Sequence, residues 1–402
     1  MYTRTLCAAA LLTCGSLPIA SGTPVRPAMT GEPVAPGVSY RSFAVDTARG
    51  KVNVHMVNVD LRRHGVWAGL LYPGAVADRE PVTRMAQEQD AVAAINGDFF
   101  DITEDQHPGV AATDAPSGPA VADGRALKAA VPPAQRFGWP LPPGGDAGEV
   151  FGVGVDGVAR TGRLRLHGHI RTPRGRLPLR GLNQYALPED GIGVFTPQWG
   201  TASRARAACG TDDYRAAPCT PHTREVTVHD GLVETASDTL GAGAIGADDL
   251  VLVGRGVGAE KLRALHPGTP VHVEWTLSST SPVPFAFALG AQLLLRGHRP
   301  VPGLDTDTPE PRSAVGISDH GHTLRLLATD GREDSSGLTL RELADVLAWL
   351  DCDQAAYLDG GNSTTLVTKD PDSGLPVVRN RLEHGQRPVP NGIAIHVEKA
   401  RE

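Results

Sequence analysis

The sequence predicts an α+β fold: a single compact domain of mixed or antiparallel sheet with a few short helices, spanning about residues 38–398. Three observations carry this. Short stretches alternate with period two, as where Val52, Val54 and Met56 are spaced by Asn53 and His55. Unbroken apolar runs, Ala91 to Ile95 and Ala355 to Leu358, have the length and character of buried strands. Gly 47 and Pro 33 of 402 residues make about a fifth of the chain, against a usual ~12%. So many turns predict short elements rather than long helices, while 41% hydrophobic residues suffice for a substantial core.

Taken in order, Arg4 followed by the apolar stretch Leu6–Leu17 and the small residues Ser16, Ala20, Ser21 and Gly22 reads as a secretory signal over residues 1–22. The stretch is too short to span a bilayer. Attachment of lipid at Cys14 is a minor alternative. Residues 23–37, rich in Pro, Gly and Ala, read as a flexible lead. Strands follow from Val38, then a helix over Val82–Gln89 after Pro81 and the buried strand to Ile95. Hairpins are expected around Asp156-Gly157 and within Arg224–Val233, with a turn-rich segment over 171–222. Leu250–Val253, Gly258–Leu265 and Val271–Leu277 read as strand, helix, strand. Leu289–Leu295, Ala314–Ile317 and Leu324–Thr329 read as strands. Thr339 and Glu342 form a capping box opening a helix whose buried face is Leu340, Leu343, Leu347 and Leu350. Ile393–Val397 closes the chain as a strand.

The net charge of −7 without a basic stripe argues against nucleic acid as a partner. GxGxxG spacings at Gly152 and Gly241 do not join a strand to a helix, so they are not dinucleotide sites. No Walker loop, HExxH or GxSxG occurs. In an exported chain Cys209 and Cys219, ten residues apart, are expected to pair. Cys352 reads as a buried, inert thiol.

Chemistry concentrates where buried runs meet polar elbows. Asp359-Gly360-Gly361-Asn362-Ser363-Thr364-Thr365 follows Leu358 and offers a carboxylate, flexible backbone amides and neutral donors. Asn96-Gly97-Asp98-Phe99-Phe100 follows Ile95 in the same way. Such groups suit a sugar, a phosphate or both, although Asp-Gly and Asn-Gly are also ordinary turn residues. Asp101-Ile102-Thr103-Glu104-Asp105 spaces oxygens like the start of a calcium loop but lacks its glycine and distal glutamate. Calcium is therefore the one ion considered, and no cofactor is required by the sequence.

With these two elbows, Arg312-Ser313-Ala314-Val315-Gly316, Asp330-Gly331-Arg332, Leu338-Thr339-Leu340 with Glu342-Leu343-Ala344, and Arg387-Pro388-Val389-Pro390-Asn391 complete an ordered set of six motifs. In this order they resemble the phosphodiester glycosidase family, typified by N-acetylglucosamine-1-phosphodiester α-N-acetylglucosaminidase. The chain departs from the family at Asn362, where a third glycine is usual, and at Ser313, where threonine is usual. Leu289-Gly290-Ala291-Gln292 replaces a glycine-richer stretch.

The resemblance implies a secreted hydrolase that cleaves a sugar-1-phosphodiester, or a phosphoglycan, at the glycosidic bond. Its transition state carries positive charge at the sugar, so a carboxylate is wanted there: Asp359 first, then Asp98 and Asp330. Arg312 is the leading phosphate ligand, because a planar guanidinium binds phosphate with two prongs, with Arg332 and Arg387 as alternatives. Asn96, Glu342, Gly360, Gly361, Asn362, Ser363, Thr364 and Asn391 complete the expected substrate contacts. The alternative is a non-catalytic protein that binds exopolysaccharide or cell-wall glycan. The sequence leaves the sugar, stereochemical course and oligomeric state open, and predicts no stable membrane insertion.

Overall fold

A computed structural model describes residues 31–331 and 336–398. The signal sequence and most of the lead lie outside the described residues. Glu32–Ala35, within the stretch expected as flexible, is instead a strand paired antiparallel with Val38–Thr47. The lead is thus ordered at its end, because its backbone groups find a sheet edge to pair with.

The regular structure is mostly antiparallel sheet, with three α-helices among the described residues: α1 (Val82–Glu88), α2 (Val257–Arg263) and α3 (Leu340–Trp349). An eight-stranded sheet runs in the order 32–35, 38–47, 50–60, 323–329, 313–318, 354–357, 292–296, 299–300. A five-stranded sheet runs 376–378, 366–369, 93–96, 392–397, 66–71. A seven-stranded sheet is built on Glu149–Gly154 and Phe285–Gly290, and a second five-stranded sheet on Asp249–Arg255. One pairing in it is parallel, Gly181–Leu182 with Ile192–Phe195, so the sheets are mixed only to that extent.

The expected elements form where their patterns put them. Val52, Val54 and Met56 are fully buried while Lys51 and Asn53 are exposed, as alternation on a half-buried strand demands. Asp230 and Gly231 both take positive φ, 46° and 76°, and close the hairpin between Thr223–His229 and Leu232–Ser237. The Thr339–Glu342 capping box is made in both directions, and Leu340, Leu343 and Leu347 of α3 face the main core. The run Leu289–Leu295 is two strands rather than one, breaking at Ala291 between Phe285–Gly290 and Gln292–Arg296. That break lets the chain pass from the seven-stranded to the eight-stranded sheet.

Two cores result. The larger gathers Val54, Leu326, Ala314, Ala356, Leu294, Phe151 and Trp199. The smaller gathers Ile170, Leu182, Val226, Leu252 and Leu262 and seats α2. Cys209 and Cys219 form the expected disulfide. Cys352 is free and buried, and burial pushes its thiol up to about 11, so it is inert at neutral pH.

One side chain ties the polar strand ends together. Asn96, fully buried, ends the central strand of the first five-stranded sheet. Its Nδ2 donates to the Asp359 carbonyl at 2.7 Å. Its Oδ1 accepts from Ser313 Oγ at 2.7 Å and from the Thr365 amide at 3.0 Å. Asn96→Ala strips three buried groups of their partner and is expected to cost about 3 kcal/mol or more. Urea unfolding measures this; an unchanged midpoint would show that Asn96 is no clamp.

Candidate active site

The two elbows meet. The Asp359 amide donates to Gly97 O at 2.7 Å, beside the Asn96 bond, so the ends of the strands Ala93–Asn96 and Gln354–Tyr357 are stitched to one another. The carboxyls of Asp98 and Asp359 are close enough to repel.

Asp98 is buried. Gly118 N–H donates to its Oδ2 at 2.5 Å, and its own N–H donates to Asn391 Oδ1 at 2.9 Å. A methyl group on Gly290 would come within 2.4 Å of Oδ2, so glycine is needed for this carboxyl to fit. Burial lifts Asp98 to about 6, against the opposing pull of Arg136 and Lys128. Lys128 is fully buried, and its ammonium donates to the carbonyls of Gly118 at 2.5 Å and Ala129 at 2.6 Å. Burial lowers it to about 7.

Asp359 is partly exposed as a residue, yet its carboxyl sits in dense surroundings whose desolvation lifts it to about 7. Ser363 and Arg387 oppose that rise, and Asp98 adds to it. Gly361, at φ 57°, opens the short turn Gly361–Ser363. Its amide is spent on Pro311 O at 2.8 Å, and the amides of Ser363 and Thr364 close the turn. The expected anion nest is therefore largely consumed, because the turn satisfies its own backbone. Arg387 donates to Ser363 Oγ at 3.4 Å. Thr364 Oγ1, buried, has no partner. Gly361, the exposed Asn362 and Thr364 line a narrow cleft with Gly331 and Arg381.

Other expected site residues are occupied elsewhere. Asp330 accepts from His55 at 2.8 Å, Asn53 at 3.0 Å and the Arg381 amide at 2.7 Å, which hold it below the usual carboxylate range despite desolvation. It is a structural anchor for the 380s loop. Arg312 is buried; Nε donates to Leu338 O at 2.8 Å and a terminal nitrogen to Thr308 O at 2.7 Å. Its remaining prong lies 3.6 Å from Glu310, and its plane lies over the Trp139 ring. Glu342 serves the capping box and pairs with Arg49, lining a separate groove with Trp349. Asn96 and Asn391 face inward as clamps rather than outward. Arg332 lies outside the described residues.

In the stretch weighed for calcium most oxygens are engaged: Thr113 donates to Asp101 Oδ2, and Arg206 and His107 bind Glu104, while Asp101 Oδ1 is buried without a partner. The two carboxyls face one another in a buried network, and Asp101 is pushed up to about 8, first by burial.

The residue that sequence reading missed is Arg136. It is 8% exposed, its Nε has no partner, and its charge reaches both Asp98 and Tyr357. It lines a cavity of about 450 Å³ with Trp139 and Arg215. A buried guanidinium nitrogen without an acceptor favours an anion beside it. Around Tyr357, which burial raises to about 12, two further buried acceptors lack partners, Gln292 Oε1 and Glu149 Oε2. A larger cavity of about 640 Å³, lined by Leu127, Trp275 and Phe285, holds no carboxylate and is not this site.

Residues 222–396 match the model of the family described as phosphodiester glycosidase. The resemblance read from the motifs is therefore shown over that span. The phosphodiester glycosidase match includes Asp359, Arg312 and Arg387, while Asp98, Lys128 and Arg136 precede it. No curated protein matches the chain. Among solved structures it is similar to a hypothetical protein from Synechocystis, with TM-score 0.67 and 22% identity over 90% of this chain. It spans 62% of that protein. A protein from Burkholderia pseudomallei K96243, named as a candidate exported protein, gives TM-score 0.65 and 22% identity over 86% of this chain and 74% of that one. The catalytic domain of zebrafish N-acetylglucosamine-1-phosphodiester α-N-acetylglucosaminidase, auto-inhibited by its pro-peptide, gives TM-score 0.44 and 15% identity over 90% of this chain and 85% of that one. The first two likenesses show the fold; the third is too loose to argue from.

The raised carboxyls make a stability test. A carboxyl whose folded pKa exceeds its unfolded value near 3.9 binds the proton more tightly when folded. Stability is then lost as pH rises from about 4 through about 6 for Asp98 and about 7 for Asp359, and stays lost above. Asp359→Asn removes that penalty, so the variant should gain roughly 1–3 kcal/mol over the parent at pH 8 and nothing at pH 3.5. Thermal melts at both pH values check this; equal gains at both would assign the effect to packing.

Proposed function

We propose that the protein hydrolyses sugar-1-phosphodiesters at the glycosidic bond, and that residues 38–398 act as one catalytic domain. The observation that carries this is the stitched pair of elbows: Asp98, with Arg136 and its unpartnered Nε close by, and Asp359, with Arg387 close by, both carboxyls raised by burial. The family match over 222–396 supports the reaction class.

In this reading Arg136 takes the phosphate, assisted by Arg387 on the Asp359 side. Arg312 supports the loop beneath them rather than binding the phosphate. The C1–O bond to phosphate breaks and its electrons leave with the phosphomonoester. Asp359, the higher of the two, donates a proton to the departing oxygen. Asp98, the lower, stays ionised, faces the positive charge at the sugar, and accepts the proton of the attacking water. Like charges near one another push the two titrations apart, which is how one site holds an acid and a base at one pH.

Secretion belongs to this proposal. It is supported by the signal-like N-terminus, by the disulfide and by the candidate exported neighbour. Among the described residues no helix is long and apolar enough to cross a membrane.

The test is incubation of purified protein with a panel of sugar-1-phosphodiesters and detection of free sugar. The expected kcat/KM profile is bell-shaped with limbs near the two carboxyl values. Asp359→Asn should lower kcat by about 10²-fold or more with KM little changed, because the lost proton transfer acts only in the transition state. Binding without release of sugar would leave the glycan-binding alternative standing.

A further inference from the structure

The cavity beside Arg136 is lined by two unlike sets of groups. The charged set is Arg136, whose buried Nε has no partner, and Arg215, which lies over the Phe137 ring at 4.1 Å and donates to Arg136 O at 3.1 Å, with the single carboxylate Asp213. The aromatic and apolar set is Trp139, Pro140, Leu141 and Tyr214. Tyr214 is 63% exposed, a large ring left in solvent at the mouth.

The Tyr214 wall belongs to the loop closed by Cys209–Cys219. That loop is fastened to the Arg136 segment from both sides. Gln135 Nε2 donates to the carbonyls of Thr211 and Tyr214, and Arg215 donates back to Arg136 O. Within the loop, Tyr214 N–H donates to Thr211 Oγ1 at 2.9 Å and Ala217 N–H to Tyr214 O at 3.3 Å. The disulfide and these bonds hold the Tyr214 backbone beside the Arg136 segment.

We propose that this cavity is the leaving-group subsite, which binds a phosphate ester whose aglycone is a flat or apolar group stacked between Trp139 and Tyr214. The inference rests on the reading above and deepens it: Arg136 holds the phosphate and the disulfide loop selects what is attached to it. A planar ring matches aromatic walls through area and edge contacts. A guanidinium fork matches phosphate oxygens. A cavity of about 450 Å³ is in the range that binds small ligands.

The product side tests this without relying on turnover. Calorimetry compares phenyl phosphate, methyl phosphate and inorganic phosphate binding to the full chain. The expected result is phenyl phosphate binding about tenfold tighter than methyl phosphate, with Tyr214→Ala removing that preference and leaving methyl phosphate affinity unchanged. Because Tyr214 is exposed, this variant keeps the core intact. Replacing both Cys209 and Cys219 by Ser should narrow the preference as well, since the wall is no longer pinned. Equal affinity for phenyl and methyl phosphate, or a preference that survives Tyr214→Ala, would overturn the subsite. If the phenyl preference holds but no sugar-1-phosphodiester is cleaved, the aryl phosphate site stands, while its leaving-group role fails together with the hydrolytic reading. With an active enzyme, phenyl esters should show lower KM than methyl esters of the same sugar 1-phosphate, and Tyr214→Ala should equalise them.

Discussion

The joining of the two strand ends at Asn96 and Asp359, which brings the buried carboxyls of Asp98 and Asp359 into one region, is the constraint on which the rest of the site depends. Each is pushed above its usual range first by burial, and Asp359 is pushed further by Asp98. Left to itself such a pair would separate or fill with water. Here it is held by neutral, geometric devices: the Asn96 clamp, the Asp359 amide on Gly97 O, the Gly118 amide on Asp98, and Gly290, whose missing side chain makes room. The site lies where Ala93–Asn96 and Gln354–Tyr357, strands of two sheets each paired on both sides, end together. Function and stability therefore pull in opposite directions at this site, as they do at many active sites.

The cations divide by what their neighbours leave them. Arg312 lies under Gly360 with two nitrogens spent on backbone carbonyls. Lys128 is spent in the same way, on the turn that carries the Gly118 amide. Both shape the floor. Arg136 differs, because it follows the short turn Pro133–Gln135 and is buried with its Nε left without an acceptor. Desolvating a guanidinium without pairing it is costly. A ligand that supplies the missing charge recovers that cost, which favours anions over neutral sugars in this cavity.

Local structure was legible in the residues. The helix opened by Thr339 and Glu342, the Asp230-Gly231 hairpin and the buried runs before Asn96 and Asp359 all follow from patterns a few residues long. The meeting of the two elbows was legible only as motifs at strand ends, and the fold supplies the contact. Arg136 was not legible, since it sits in a proline-rich loop with no periodic signal and gains its meaning from Asp98 and Tyr357, far away in sequence. Asn96 shows the converse: a polar residue at an elbow reads as a ligand contact, yet each hydrogen bond it makes among the described residues is internal. Glu342 carried two readings, and its capping box and Arg49 account for it. Pro33 and Ala35 looked flexible by composition, but a neighbouring strand edge overrode the local preference.

The central claim, that the two carboxyls titrate as a pair in one site, is tested most directly by carbon-13 NMR of Asp-labelled protein across pH 3–9. The account predicts two carboxyls with midpoints near 6 and 7, and a fall in the Asp359 midpoint when Asp98 is replaced by Asn, because the repelling charge is gone. Both carboxyls titrating near 4, or an Asp359 midpoint unmoved in the folded Asp98→Asn variant, would contradict it.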